Sequence, residues 1–223
     1  SNWGILQDNG LYLLGLYLGR QDWCALAARR MDENLHRSVF ADGSQWEQSP
    51  LYHCEVLHSA LNTLHYAQAA GQTLPDRMVE NIRRMCAALA KWCKPNGELL
   101  LQSDSDTVDA RDLLVLGAAL LDDADLYACG GGQLWEENLW DLGTETEALW
   151  AARPAGKRQT ASAALPDSGN YMLRGAHESF VHMHCGCLGS GHGHADLLHI
   201  DAGIAGEDVL TDAGRYTYVN DPT

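Results

Sequence analysis

From Asn2 to about Gly156 apolar residues recur three and four positions apart, the spacing that lines one face of an α-helix. Leu11, Leu14, Tyr17 and Leu18 form the first such face, and Gly19 ends it. Asp22 is placed to cap a second helix from Trp23 to about Val39, which the Ala41-Asp42-Gly43-Ser44 stretch stops. A third helix runs from Leu51, just after Ser49-Pro50, to Ala70, with Leu57, Leu61 and Leu64 on one side and Gly71 as its end. Pro75 opens a fourth through Met78, Ile82, Met85, Leu89 and Trp92, and Lys94-Pro95-Asn96-Gly97 terminates it. A fifth covers Leu113 to Leu121. Long helices with short connections pack as antiparallel hairpins. The acid-rich stretch from Leu101 to Asp112 reads first as a solvated cap, with cation binding as the alternative.

After about Ala164 the pattern changes to short, Gly-bounded, β-leaning runs: NYMLRG, SFVHMHCG, ADLLHIDAG, EDVLTDAG and RYTYV. They predict an antiparallel sheet, preceded by a linker from Pro154 to Pro166. Alternation puts Tyr216 and Tyr218 on one side of the last run, as core residues. The same alternation puts His192, His194 and Asp196 on one face of an extended segment, and a turn at Gly203 and Gly206 would return Asp212 beside His194. Two imidazoles and two carboxylates in one corner suit a zinc or catalytic site; the bland alternative is a solvated Gly-rich turn. His182, His184, Cys185 and Cys187 form a rival cluster, with His and Cys on opposite faces.

With 46% hydrophobic residues in 223, the chain can bury a sizeable core in one domain or two. Its net charge of −15 argues against a nucleic-acid or anionic-membrane partner. An acidic ligand would therefore need a local site built from His and Arg, or from a metal. No apolar run is long enough to span a bilayer, and SNWGILQDNG lacks the features of a leader. The start within a helix and the end soon after a strand suggest a piece of a longer polypeptide. Seven scattered cysteines, several on apolar helix faces, read as small buried hydrophobes rather than a disulfide framework.

SNWGILQ, DGSQWEQSPLYH, KPNGELLLQSDSD, GHGHADLLHIDAG and VLTDAGRYTY, in this order and spacing, together resemble the heparinase II/III-like polysaccharide lyases, which include heparan and oligoalginate lyases. The resemblance implies an incomplete α/α toroid followed by an antiparallel β-sandwich. Residues 1–160 would be the C-terminal part of the toroid, and residues 161–223 the first strands of the sandwich. It further implies β-elimination of a uronic-acid polysaccharide or oligosaccharide in the cleft between the two parts. Export in bacteria is common in the family; localisation and oligomeric state are left open by the sequence.

Elimination removes a weakly acidic proton beside a carboxylate. Donors must neutralise that carboxylate, a base must take the proton, and an acid must protonate the leaving oxygen. By the resemblance, Asn2 faces the substrate carboxylate, Tyr52 is the acid, and His192 is the neutraliser or base. Trp3 stands where some members carry a histidine. Gln45, Gln48 and His53 are expected to line the cleft. His194 and Asp212 would hold a structural Zn²⁺, with a further histidine supplied from beyond Thr223. Each residue has a plainer alternative: a helix cap for Asn2, ring packing for Tyr52, and core packing for most of the tryptophans Trp3, Trp46, Trp135, Trp140 and Trp150. Two other functions compete. One is a toroidal glycoside hydrolase using Asp104, Asp106 or Glu47; the other is a non-catalytic carbohydrate-binding fragment.

Overall fold

The computed structural model describes residues 2–144, 146–151 and 155–219, so Pro154 at the head of the expected linker lies outside the described residues. Eight helices are described, followed by five strands. The long helices are α1 (Asn2–Tyr17), α2 (Gln21–Ser38), α3 (Pro50–Ala69), α4 (Asp76–Trp92) and α5 (Arg111–Leu121). Three short ones follow: α6 (Ala124–Cys129), α7 (Glu136–Leu142) and α8 (Thr146–Ala151). The five long periodic stretches are all helices, displaced by one or two residues at their ends. Asp22 does not cap α2: Arg20 holds the N-cap position, and Asp22 sits in the first turn, paired to Arg20 at 2.7 Å.

The helices pack around one apolar core. In α4, Met78, Ile82, Met85 and Leu89 fall three and four apart and are all fully buried. They meet Leu57, Leu61 and Leu64 of α3, and Met31 and Leu35 of α2 belong to the same cluster. Cys24, Cys54, Cys86 and Cys93 are buried thiols within it, as the helical pattern predicts, whereas Cys185 and Cys187 are exposed. Gly43 is required where the chain crosses α4. Its φ is +92°, and a Cβ there would collide with the carbonyl of Arg84.

The strands are β1 (Ala163–Leu165), β2 (Asn170–Arg174), β3 (Phe180–His184), β4 (His199–Ile204) and β5 (Glu207–Leu210). They pair in chain order as an antiparallel meander, with Met172 opposite His182 and His184 opposite His199. β1 lies in the stretch expected to be linker, because Leu165 finds a buried place beside Trp92 of α4. One sheet face, with Met172 and Phe180, packs with Leu165 on Ala88, Trp92 and Leu100. The other face leaves Leu173, Val181, Ile204 and Val209 exposed.

Two stretches expected as strands are not. Residues 189–198 form an irregular loop and β4 begins only at His199, so the even alternation of His192, His194 and Asp196 does not hold. Residues 211–217 are likewise irregular, and Tyr216 and Tyr218 are 85% and 54% exposed rather than core. In the first stretch the His194 N–H donates to the Ser103 hydroxyl and the His192 carbonyl accepts from the Asp104 N–H; in the second the Asp212 N–H donates to the Asp201 carboxylate and the Arg215 N–H to the Ser105 carbonyl.

Candidate active site

Tyr52 is placed by a helix start. Ser49 is the N-cap of α3 and Pro50 its first residue, a pairing that sets the first turn, and the Ser49 Oγ accepts from the Tyr52 N–H at 3.4 Å. The same hydroxyl donates to the Asp104 carbonyl at 3.0 Å and lies 3.0 Å from the Ser105 hydroxyl. One N-cap thus fixes both the phenol and the loop after Leu101. Ser103 in that loop has φ +60°, a left-handed conformation rare for a side-chain-bearing residue.

The Gly-rich loop is drawn onto the same place. Gly189 has φ +74°, and a Cβ there would strike the carbonyl of Glu47, so only glycine allows this approach. Asp104 N–H donates to the His192 carbonyl at 3.0 Å, and the Ser103 hydroxyl donates to Asp196 at 3.3 Å. His192 then lies flat on the Tyr52 ring, with centroids 3.4 Å apart and planes 9° apart. From the first turn of α1, the Asn2 amide nitrogen reaches His192 Nε2 at 3.3 Å. Three side chains from distant parts of the chain therefore meet: an amide, a phenol and an imidazole.

Two further groups complete the cluster. The Asp104 carboxylate accepts from His192 Nδ1 at 3.0 Å, from His194 Nε2 at 2.9 Å and from the Tyr218 hydroxyl at 2.9 Å. Burial pushes its pKa up, but the hydrogen bonds from His192, His194 and Tyr218 outweigh this and hold it below the ordinary carboxylate value. The Tyr218 hydroxyl also lies 3.0 Å from that of Tyr52. Burial first, then the contacts with Tyr52 and Asp104, raise the Tyr218 pKa above the usual phenol value. Arg215 pairs with Asp106 and lies over the Tyr218 ring, a cation at the edge of the cluster.

Family models match both parts of the chain: heparinase II/III N-terminus over residues 1–119, and heparinase II/III-like, C-terminal, over residues 157–223. The chain belongs to the heparinase II/III family. No curated protein matches it significantly. Among solved structures, this heparinase II/III family member is similar to a heparan sulfate lyase, HepC, from Pedobacter heparinus, with TM-score 0.78 and 19% identity over 98% of this chain and 33% of that one. It is also similar to a heparinase III, the BT4657 gene product, with TM-score 0.77 and 16% identity over 97% of this chain and 33% of that one. Another heparinase III structure gives TM-score 0.78 and 15% identity over 99% and 36%. At such identities the likeness is one of fold: a helical part joined to an antiparallel sheet. The chain spans about a third of the length of these structures.

The expected cleft residues of this family member divide sharply. Asn2, Tyr52 and His192 meet, but Gln45, Gln48 and His53 do not line the cleft. Gln45 is 1% exposed and turns its Oε1 onto the Glu47 N–H at 2.8 Å. Gln48 is fully buried with φ +59°, and its Oε1 accepts from Asn170 at 3.0 Å, bridging helices to sheet. His53 is fully buried, with Nε2 3.1 Å from the Met85 carbonyl and its ring edge-on to Trp92; burial lowers its pKa to about 4. The helical turn that presents Tyr52 necessarily turns the next residue toward the core. Trp3 is exposed beside Asn2, whereas Trp150 stacks on Tyr127 and is buried.

The zinc pair does not form one donor set. His194 Nε2 is taken by Asp104, while Asp212 lies by β4, its N–H donating to Asp201 at 2.9 Å and its carboxylate 3.8 Å from His199. Because residues 189–198 do not run as a strand, the hairpin returns Asp212 to His199 and not to His194. Among the described residues no group of three or more His, Cys, Asp or Glu side chains could hold a metal, and no step is assigned to zinc. The rival cluster is split as expected: His182 and His184 are buried and share the Asn170 Oδ1 as acceptor, at 3.1 and 3.0 Å, away from the two cysteines. Burial lowers the His184 pKa. Of the carboxylates that a hydrolase reading would use, Glu47 is buried, Asp106 is bound to Arg215 and Asp104 is engaged by His192 and His194.

Asp104 and Tyr218 are what the sequence left unassigned to this site. Asp104 lay in a stretch that reads first as a solvated cap, and Tyr218 in one that reads as a strand. No local pattern marks either as a partner of His192.

Proposed function

We propose that the chain is part of a polysaccharide lyase that cleaves a uronic-acid-containing polymer by β-elimination. The meeting of Asn2, Tyr52 and His192 in one cluster carries this reading. In it, the Asn2 amide donates to the substrate carboxylate and makes the neighbouring carbon acid enough to lose its proton. His192 takes that proton on Nε2. The electron pair forms the new double bond, the bond to the leaving oxygen breaks, and the Tyr52 hydroxyl protonates that oxygen. The heparan sulfate lyase among the similar structures supports an acidic polysaccharide as substrate. Arg215 is the nearby cation for its charge.

The helical part fits an incomplete α/α toroid spanning residues 1–160, and the sheet fits the first strands of a sandwich spanning 161–223. Exposed apolar residues on α1 (Leu6, Leu14 and Tyr17) and on the outer sheet face (Leu173, Val181 and Ile204) support both assignments, since further helices and a second sheet would cover them.

Incubation with heparan sulfate, alginate and hyaluronan tests the reaction, with ultraviolet absorbance reporting the unsaturated uronate that only elimination creates. Tyr52→Phe keeps the stacking on His192 but removes the proton, and is expected to lower the rate by about 10²–10⁴. New reducing ends without the chromophore would mean hydrolysis and defeat the proposal, as would full activity in Tyr52→Phe.

A further inference from the structure

The hydrogen bonds around His192 determine where its proton sits. The Asn2 Oδ1 accepts the Trp3 N–H at 2.5 Å, which leaves the amide nitrogen as the atom facing His192 Nε2 at 3.3 Å. An amide nitrogen can only donate, so Nε2 must be bare. The proton of the neutral ring is then on Nδ1, where the Asp104 Oδ2 stands 3.0 Å away; the Tyr218 hydroxyl, 3.2 Å from Nδ1, gives its own proton to the same Asp104 oxygen at 2.9 Å. Asp104 is itself held from several sides. Its N–H grips the His192 carbonyl, its carbonyl accepts from the Ser49 hydroxyl, and its second carboxylate oxygen is taken by His194. Its side chain is only 14% exposed. With both carboxylate oxygens engaged by protein donors, Asp104 is well placed to orient a ring.

We propose that Asp104 is a positioning residue: its carboxylate fixes His192 with Nδ1 protonated and Nε2 bare and turned toward Asn2. The π-face contact with Tyr52 sets the plane of the ring; Asp104 sets its rotation within that plane and its tautomer, because its bond to Nδ1 at 3.0 Å is to a charged acceptor and outweighs the neutral amide contact at 3.3 Å, which follows it. Only the kinetic consequence rests on the lyase reading. The tautomer follows from the geometry alone.

Histidine-selective ¹⁵N labelling of the whole chain, read by long-range proton–nitrogen correlation and assigned with His192→Gln, tests this directly. The parent should show His192 as the Nδ1–H tautomer. Asp104→Asn, in which an amide nitrogen can face Nδ1 and donate to it, should move it to the Nε2–H or an averaged form, while Asp104→Glu, which retains the carboxylate, should keep Nδ1–H. An Nε2–H ring in the parent would overturn the proposal without any variant, and so would an unchanged Nδ1–H ring in folded Asp104→Asn. On an acidic polymer that the parent cleaves, Asp104→Asn should lower kcat by about 10²–10⁴ with KM nearly unchanged, as expected when an orienting carboxylate is lost. A raised KM with kcat intact would instead make Asp104 a binding group and refute the positioning role. If the parent forms no unsaturated product from any polymer, the lyase reading fails and the tautomer result still decides the role of Asp104.

Discussion

The inside of the helical part and the seam between helices and sheet are held in different ways. Inside, α2, α3 and α4 meet through Met31, Leu35, Leu57, Leu61, Met78, Ile82 and Met85, all buried and none hydrogen-bonding through its side chain. At the seam six apolar residues, Trp92 among them, are accompanied by directed polar links: Asp42 to Ser168, Gln48 to Asn170, Ser103 to Asp196 and Lys94 to Asp208. Apolar contact is non-directional and tolerates exchange of one hydrophobe for another, whereas a buried hydrogen bond fixes relative position within tenths of an ångström. The candidate site sits on the seam, where position matters most. The helical core supplies stability; the seam supplies geometry.

The largest expected effect breaks the first half of that contrast. Leu61 is fully buried in α3, and Leu61→Ala should reduce the unfolding free energy by about 2–5 kcal/mol through lost transfer energy and the cavity left behind. Urea titration measures it. Turnover per folded molecule should be unchanged, because Leu61 touches no group of the site. A loss below about 1 kcal/mol would mean the helices collapse around the gap and the core is looser than its burial implies.

Next in size is a pH effect from His53, a polar residue placed between the two regions. Its folded pKa of about 4 lies below the ordinary 6.5 because burial disfavours the charged ring. Between these values the unfolded chain binds more protons than the folded one, so stability falls as pH drops through this window and the loss levels off below about pH 4. The full difference is about 3 kcal/mol. Urea titrations at a series of pH values, with His53→Gln subtracted from the parent, should isolate that slope. A flat difference curve would show that the ring is solvated and that the region around Trp92 is open to water.

How much of this was legible in the sequence follows the same division. Met78, Ile82, Met85 and Leu89 announce their helix because packing needs only one apolar face at a regular period. His53, one residue after Tyr52, looked like a cleft residue because adjacency in sequence says nothing about the 100° turn between neighbours on a helix. The loop from Gly189 to Leu198 looked like a strand because alternation was the only available rule there. Its real shape comes from Glu47, Ser103 and Asp104, all distant in the chain. Asn2, Tyr52 and His192 were singled out by family resemblance, since no periodicity links a helix start, a helix N-cap and a glycine loop. Asp104 could be named as an acid but not paired with a histidine.

The smallest expected stability effect is also the one that best separates the two regions. Asn170 donates from its amide to Gln48 and Ser168 and accepts from both His182 and His184, so Asn170→Ala leaves several buried groups without partners. Truncation should reduce stability by about 1–3 kcal/mol, no more than Leu61→Ala does. Its effect on elimination should differ in kind. Gln48 adjoins Ser49, the N-cap that places both Tyr52 and Asp104, and it lies against Gly189 at the start of the loop carrying His192. Releasing Gln48 frees these two segments to shift against each other, and a misplacement of about 1 Å at a reacting group can cost about 10²-fold in rate. Asn170→Ala should therefore lower kcat at a temperature where the protein is still folded, as judged by circular dichroism, while Leu61→Ala should not. Equal retention of kcat in both variants would show that the seam does not transmit position to the site, and that the arrangement of Tyr52 and His192 is secured by the N-cap and the stacked rings alone.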